Sequence, residues 1–249
     1  MIRTLLAAAV MGTAAGGAYG QGAVDPAAMT EGEAIFGQQC AVCHSKEGNA
    51  IVDSFPALRG NENLADAEYV ITNLHSGVVV MPPFPTLDDA QVAAVVTYVR
   101  NSWGNAYGGV DAAEVAAVRA TLDPQLPLST IWDGVFTAEQ AARGKEIFTS
   151  PCGVCHGTKL DGAPDDQDMV PAPPLARHKF LRVWNGRTLG ALYSYTRGTM
   201  PKSNPGFLSE EDYLAIVAHM LAMTGAPAGD QPLVDDVVAL GHIVIGPKP

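Results

Sequence analysis

The sequence predicts an all-α protein made of two tandem helical modules, on three observations. The chain repeats itself: Gly32, Phe36, Cys40, Cys43 and His44 recur as Gly144, Phe148, Cys152, Cys155 and His156, each 112 positions later, and a fixed offset of this kind marks two copies of one unit. Each copy opens on a helix-start signal, Thr30 with Glu33 and Thr137 with Gln140, which read as capping boxes that satisfy orphan backbone N–H groups. Each copy also closes on an amphipathic helix. Asp88 with Gln91 opens a run through Val92, Val95, Val96 and Val99, and Ser209 with Asp212 opens one through Tyr213, Ile216, Val217 and Met220. Apolar residues at i, i+3, i+4 and i+7 give each closing helix one buried face.

Composition agrees and narrows the function. Of 249 residues, 47% are hydrophobic and 16% charged, enough apolar surface for a packed core. With 26 Gly and 18 Pro, long stretches of loop must connect the helices. A formal net charge of -11 excludes recognition of nucleic acid through a broad basic face. The first twenty residues read as an address: Arg3, an apolar run from Thr4 to Ala15, then small residues ending at Ala18-Tyr19-Gly20. That pattern is a secretory signal peptide cleaved near Gly20, with an apolar run too short to span a bilayer. No lipid-anchor cysteine follows it, so the mature product is expected in the periplasm, with no membrane anchor.

An exported chain with paired cysteines ordinarily forms disulfides, but the spacing here points elsewhere. The four cysteines fall in Cys40-Ala41-Val42-Cys43-His44 and Cys152-Gly153-Val154-Cys155-His156, which is the C-x-x-C-H signal for covalent c-type haem. Two thiols three residues apart lie on one side of a helical turn, where they can add to the two vinyl groups of one porphyrin; the next residue aims its imidazole at the iron. A redox dithiol does not need the adjacent His, and a zinc site does not ask for the same five residues twice. Two covalently bound haem c groups are therefore expected, on Cys40 and Cys43 and on Cys152 and Cys155, with His44 and His156 as iron ligands.

With these motifs in place, each half resembles a class I cytochrome c domain, over residues 30–104 and 132–224. The resemblance implies that the first helix crosses the last, Gly and Phe of one meeting an aromatic of the other: Gly32, Phe36 and Tyr98, then Gly144, Phe148 and His219. His219 departs from the aromatic pattern, which predicts a looser second crossing. The resemblance also implies a thioether as second iron ligand, just before the closing helix. Met81, followed by Pro82-Pro83, and Met200, followed by Pro201, match that place; Met220 and Met223 read as helix core, and Met29 and Met169 lie outside those loops. Pro56 and Pro173 resemble the proline whose carbonyl orients the proximal imidazole. His75 is the rival ligand in the first half but reads as a polar helix-end residue, and Arg177-His178-Lys179 with Arg182 and Arg187 forms a basic stretch that faces either a propionate or a partner.

The expected organisation is a signal peptide over 1–20, a first cytochrome domain over 21–110, a connector over 111–131, a second domain over 132–224 and an extended tail over 225–249. Residues 112–122 form a short connector helix stopped by Pro124 and Pro127, and the connector docks on both modules. With both irons six-coordinate, the chain carries electrons and performs no substrate chemistry, so no catalytic residue is expected. Asn101-Ser102-Trp103-Gly104-Asn105 and Trp132-Asp133-Gly134-Val135-Phe136, among other stretches, resemble cytochrome subunits of periplasmic quinoprotein alcohol or sugar dehydrogenases. The donor this implies is a periplasmic dehydrogenase, and the acceptor a cytochrome or terminal oxidase. The cytochrome partner of a molybdenum-dependent sulfane dehydrogenase, or a dihaem enzyme of the peroxidase class, are the alternatives.

Overall fold

The computed structural model describes residues 22–162 and 172–249; the signal peptide expected over 1–20, and Met169, lie outside them. In the first module, α1 (Pro26–Ile35) runs through a π-helical turn (Phe36–Cys40) straight into the short α2 (Ala41–His44). Asp25, not Thr30, caps α1: its carboxylate accepts from Ala27 N–H, and Pro26 takes the first turn, where no N–H partner is needed. Thr30 sits inside the helix with its hydroxyl donating back to the Pro26 carbonyl at 3.0 Å. The sequence-based start is late because Asp-Pro outranks a hydroxyl further on.

A 3-10 turn (Glu62–Ala65), α3 (Ala67–Ser76) and α4 (Asp89–Asn101) complete the module. Both arms of the Asp88–Gln91 capping box form, at 2.9 and 3.0 Å. Helix α1 crosses α4 at Gly32, where a Cβ would lie 2.2 Å from the Ala94 carbonyl oxygen, so only glycine permits this approach. The Phe36 ring fills the space beside it, 5.5 Å from Tyr98 and 5.1 Å from Trp103.

The connector begins with α5 (Ala112–Arg119), whose Val115 and Val118 enter the core of the first module. Arg119 pairs with Asp89 at 2.6 Å, and the Asp123 carbonyl is 2.9 Å from His75 Nε2. Its far end, β1 (Ser129–Thr130), belongs to the second module.

That module contains α6 (Ala138–Phe148), α7 (Gly153–His156), α8 (Arg177–Trp184), α9 (Leu189–Thr199) and α10 (Glu210–Thr224). Thr137 caps α6 by accepting from Gln140 N–H at 3.1 Å. The Gln140 amide turns away and exchanges two 2.9 Å bonds with the Leu233 backbone, so it anchors the tail instead of closing a box. The second crossing is not looser. A Cβ on Gly144 would lie 1.8 Å from the Ala215 carbonyl oxygen, and the His219 ring meets Phe148 edge-on at 5.7 Å; an imidazole has the flat shape the site needs. Residues Tyr213 to Leu221 of α10 are all buried, so this helix is enclosed on every side instead of presenting a single buried face.

The tail is where sequence and structure part. Expected to be extended on the surface, it forms α11 (Val237–Leu240) and β2 (Ile243–Val244), which pairs parallel with β1 in the register Ser129–Ile243 and Thr130–Val244. Leu233, Leu240 and Ile245 join the core of the second module. The prolines forbid a long helix, but burial needs only apolar side chains, and these residues provide them.

Candidate functional site

In each module the motif ends a helix against a cavity. The residue after the motif takes a left-handed turn, Ser45 at φ 51° and Gly157 at φ 73°, which stops the helix just past the imidazole. The Pro56 carbonyl is 2.9 Å from His44 Nδ1, and the Pro173 carbonyl is 2.9 Å from His156 Nδ1. A carbonyl only accepts, so Nδ1 carries the proton in both rings and Nε2 keeps its lone pair. Burial lowers the pKa of both histidines, with the carbonyl bond opposing, so both are neutral near pH 7.

The first cavity, about 350 Å³, is lined by Cys40, Cys43, His44 and Met81 among mostly apolar neighbours. The second, about 440 Å³, is lined by Cys152, Cys155, His156 and Met200. All eight sequence-selected residues thus gather in two groups of four, one group to a module. Burial pushes the thiols of Cys40 and Cys43 up to about 12 and that of Cys152 to about 11. A redox dithiol has a nucleophilic cysteine with a depressed pKa, and the raised values of Cys40, Cys43 and Cys152 do not fit that role. Among the described residues no cluster of His, Cys, Asp or Glu is arranged to hold a metal ion by itself. An apolar slot with two thiols on one wall, a neutral imidazole beside them and a thioether also on its lining fits a covalently held porphyrin iron.

The loops beside the cavities are held by groups to which sequence reasoning gave no such role. Val78 and Met81 exchange two 2.8 Å backbone bonds. Tyr213 on α10 donates its hydroxyl to the Met200 carbonyl at 2.7 Å and accepts from Gly206 N–H at 3.0 Å. Asn105 holds the loop after Pro56: its Oδ1 accepts from Gly60 N–H at 2.9 Å, and its Nδ2 donates to the Leu58 and Val99 carbonyls. Trp103 reaches from beyond α4 to donate to the Lys46 carbonyl at 3.0 Å. Tyr213 stood out only as a core position and Asn105 only as part of a stretch that resembles dehydrogenase cytochrome subunits, and nothing local marks either as a brace. His75 lines neither cavity; it is buried at the end of α3 against the connector. Of the basic stretch, Lys179, Arg182 and Arg187 line the second cavity, while His178 is exposed.

A profile of the family described as "Cytochrome C oxidase, cbb3-type, subunit III" matches residues 27–99 and again 139–220, most of the chain. The chain belongs to this cytochrome c family. As a cytochrome c it binds haem c covalently and carries electrons; it is not itself an enzyme. The cytochrome c-552 of Thermus thermophilus is 34% identical over 125 residues, 41% of this chain and 84% of that protein. The cytochrome c subunit of a quinone alcohol dehydrogenase from Gluconacetobacter polyoxogenes is 36% identical over 114 residues, 39% of this chain and 24% of that protein. The fructose dehydrogenase cytochrome subunit of Gluconobacter japonicus is 31% identical over 119 residues, 41% and 24% respectively. The chain thus spans about a quarter of the length of these dehydrogenase subunits. No helix among the described residues is long and apolar enough to cross a membrane.

Proposed function

We propose that this cytochrome holds two haem c groups, one per module, and accepts electrons in the periplasm from a dehydrogenase of the quinoprotein alcohol or sugar type, passing them to a cytochrome or terminal oxidase. The observation that carries this reading is the gathering of Cys, Cys, His and Met of one module around each cavity. Haem supplies a one-electron couple, whose potential a thioether ligand raises. The chain would do the rest: Cys40 and Cys43, and Cys152 and Cys155, would anchor the ring, His44 and His156 would offer Nε2 to the iron, and Met81 and Met200 would offer a thioether. With an imidazole and a thioether on each, neither iron would be open to substrate. The similarity to alcohol and fructose dehydrogenase subunits supports the choice of donor.

A pyridine haemochrome assay with intact mass spectrometry on the exported protein tests the cofactor. Two haems on a chain beginning near Gln21 are expected, and one haem or none would overturn the reading. For the donor, a purified quinoprotein alcohol dehydrogenase supplied with ethanol is expected to reduce the holoprotein; a molybdenum sulfane dehydrogenase that reduces it faster would replace that assignment.

A further inference from the structure

The first cavity adjoins a separate chamber at the junction of the modules. This chamber, about 340 Å³, shares Ser54, Phe55, Val79 and Val80 with the first cavity, and its opposite wall comes from the second module, chiefly α9. Close packing fixes that helix in place. A Cβ on Gly198 would lie 2.8 Å from the Phe55 ring, and one on Gly190 would lie 2.9 Å from Pro82.

The polar groups of the chamber are unevenly used. Tyr193 donates its hydroxyl to Asp235 Oδ1 at 2.8 Å, so these two satisfy each other. Arg197 gives Nη2 to Glu210, and a guanidinium has further N–H donors beyond that one. Ser194 lines the chamber with only 5% of its surface exposed, and its hydroxyl makes no hydrogen bond among the described residues. Buried hydroxyls are nearly always paired, so an unpaired one near a guanidinium marks a place for an acceptor, and a carboxylate suits both donors.

The first cavity lacks what this chamber offers. A haem carries two propionate carboxylates, and a carboxylate taken out of water without a partner is costly. Lys179, Arg182, Arg187 and Lys202 line the second cavity. No Lys or Arg among the described residues lines the first, and Arg197 is the one that lines the adjoining chamber.

We propose that the second module holds the first module's haem: Arg197 and Ser194 on α9 donate to one propionate of the group in the first cavity, across the wall shared with the chamber. This rests on the reading that the first cavity holds a haem. That haem then ties the modules together, bonded to one through its thioethers and to the other through its carboxylate.

The test uses full-length holoprotein with the haem carboxylate carbons labelled with 13C, after two haems per chain have been counted; a lower count in the wild type defeats the cofactor reading and not the propionate contact. In reduced-minus-oxidised infrared difference spectra, Arg197→Gln is expected to shift a labelled carboxylate band. It is also expected to lower the potential of one haem, the one whose spectrum Met81→Ala alters, because a nearby cation stabilises the added electron. Arg197→Lys is expected to restore most of that potential. Glu210→Gln removes the competing carboxylate and is expected to raise the same potential, a reversal that a merely structural role would not produce. Labelled bands that stay in place in Arg197→Gln, or a potential shift confined to the other haem, would overturn the proposal. If Arg197→Gln loads fewer than two haems, Ser194→Ala reads the same band, and a band left unmoved there would overturn it equally.

Discussion

Replacing Gly144 with Ala tests the crossing of α6 and α10 directly. The added Cβ would lie 1.8 Å from the Ala215 carbonyl oxygen, 2.3 Å from its carbonyl carbon and 2.9 Å from Ile216 N. These are backbone atoms of a helix buried on all sides, so no rotamer change relieves the clash; α10 itself must move, and α10 carries Tyr213, which holds the Met200 loop. Overpacking of this kind costs about 1–3 kcal/mol and sometimes more, while Ala recovers about 1 kcal/mol over Gly in a helix. A backbone-to-backbone clash belongs at the upper end, leaving a net loss of roughly 2 kcal/mol. For a chain of this size each kcal/mol moves Tm by about 2–4 °C, so the holoprotein is expected to melt roughly 4–8 °C lower by circular dichroism. Gly37→Ala is the control, because nothing lies within 4 Å of a Cβ there, and its Tm is expected to hold or to rise by up to about 4 °C. A Gly144→Ala protein melting with the wild type would refute the close crossing.

Four further outcomes follow from the same structure. Met200→Ala is expected to expose one iron, so that the reduced variant binds one carbon monoxide per chain while the wild type binds none; a variant that binds none has another side chain in that place. Burial, then Lys145, lowers the His219 pKa, so the fold favours neutral imidazole while the unfolded chain takes up a proton below about pH 6.5. This residue's share of stability is present above that pH and is lost as pH falls towards the depressed folded value. His219→Phe is therefore expected to lose less stability than wild type between pH 7 and 5 in urea titrations, and equal losses would refute the assignment. Ile245 is fully buried, so Ile245→Ala is expected to cost about 2–5 kcal/mol; a change under about 0.5 kcal/mol would mean that the tail lies on the surface. Residues 21–110 hold 3 basic and 10 acidic side chains, so reduction by the donor is expected to slow as salt rises, and a salt-independent rate would argue against docking through the first module.

Both motifs, and with them six of the eight selected residues now lining the cavities, were legible in the sequence for a chemical reason, while Met81 and Met200 came from the family resemblance. Two thioether links and an imidazole must come from residues at i, i+3 and i+4, so the signal is local and survives without any fold. The helix crossings were legible through Gly32, Phe36, Gly144 and Phe148 because close approach admits few residue types. The start of α1 was misplaced because Thr30 and Glu33 imitate a cap that Asp25 and Pro26 already supply, and local patterns cannot rank two competing caps. The tail was misjudged because prolines announce broken helices, while the burial of Leu240 and Ile245 depends on a surface built a hundred residues earlier.

The sequence by itself determined the covalent chemistry, the two-module plan and the closing helices, since each depends on residues close together in the chain. Only the tertiary structure decided that Val42 and Ala191 wall each other's cavities, that Arg187 reaches the backbone before the first motif, and that Asn105 and Tyr213 brace loops beside the two cavities. Those partners lie from 13 to 149 residues apart in the chain. What joins them is the packing of surfaces, and no periodicity or spacing along one segment encodes which surface another segment will meet.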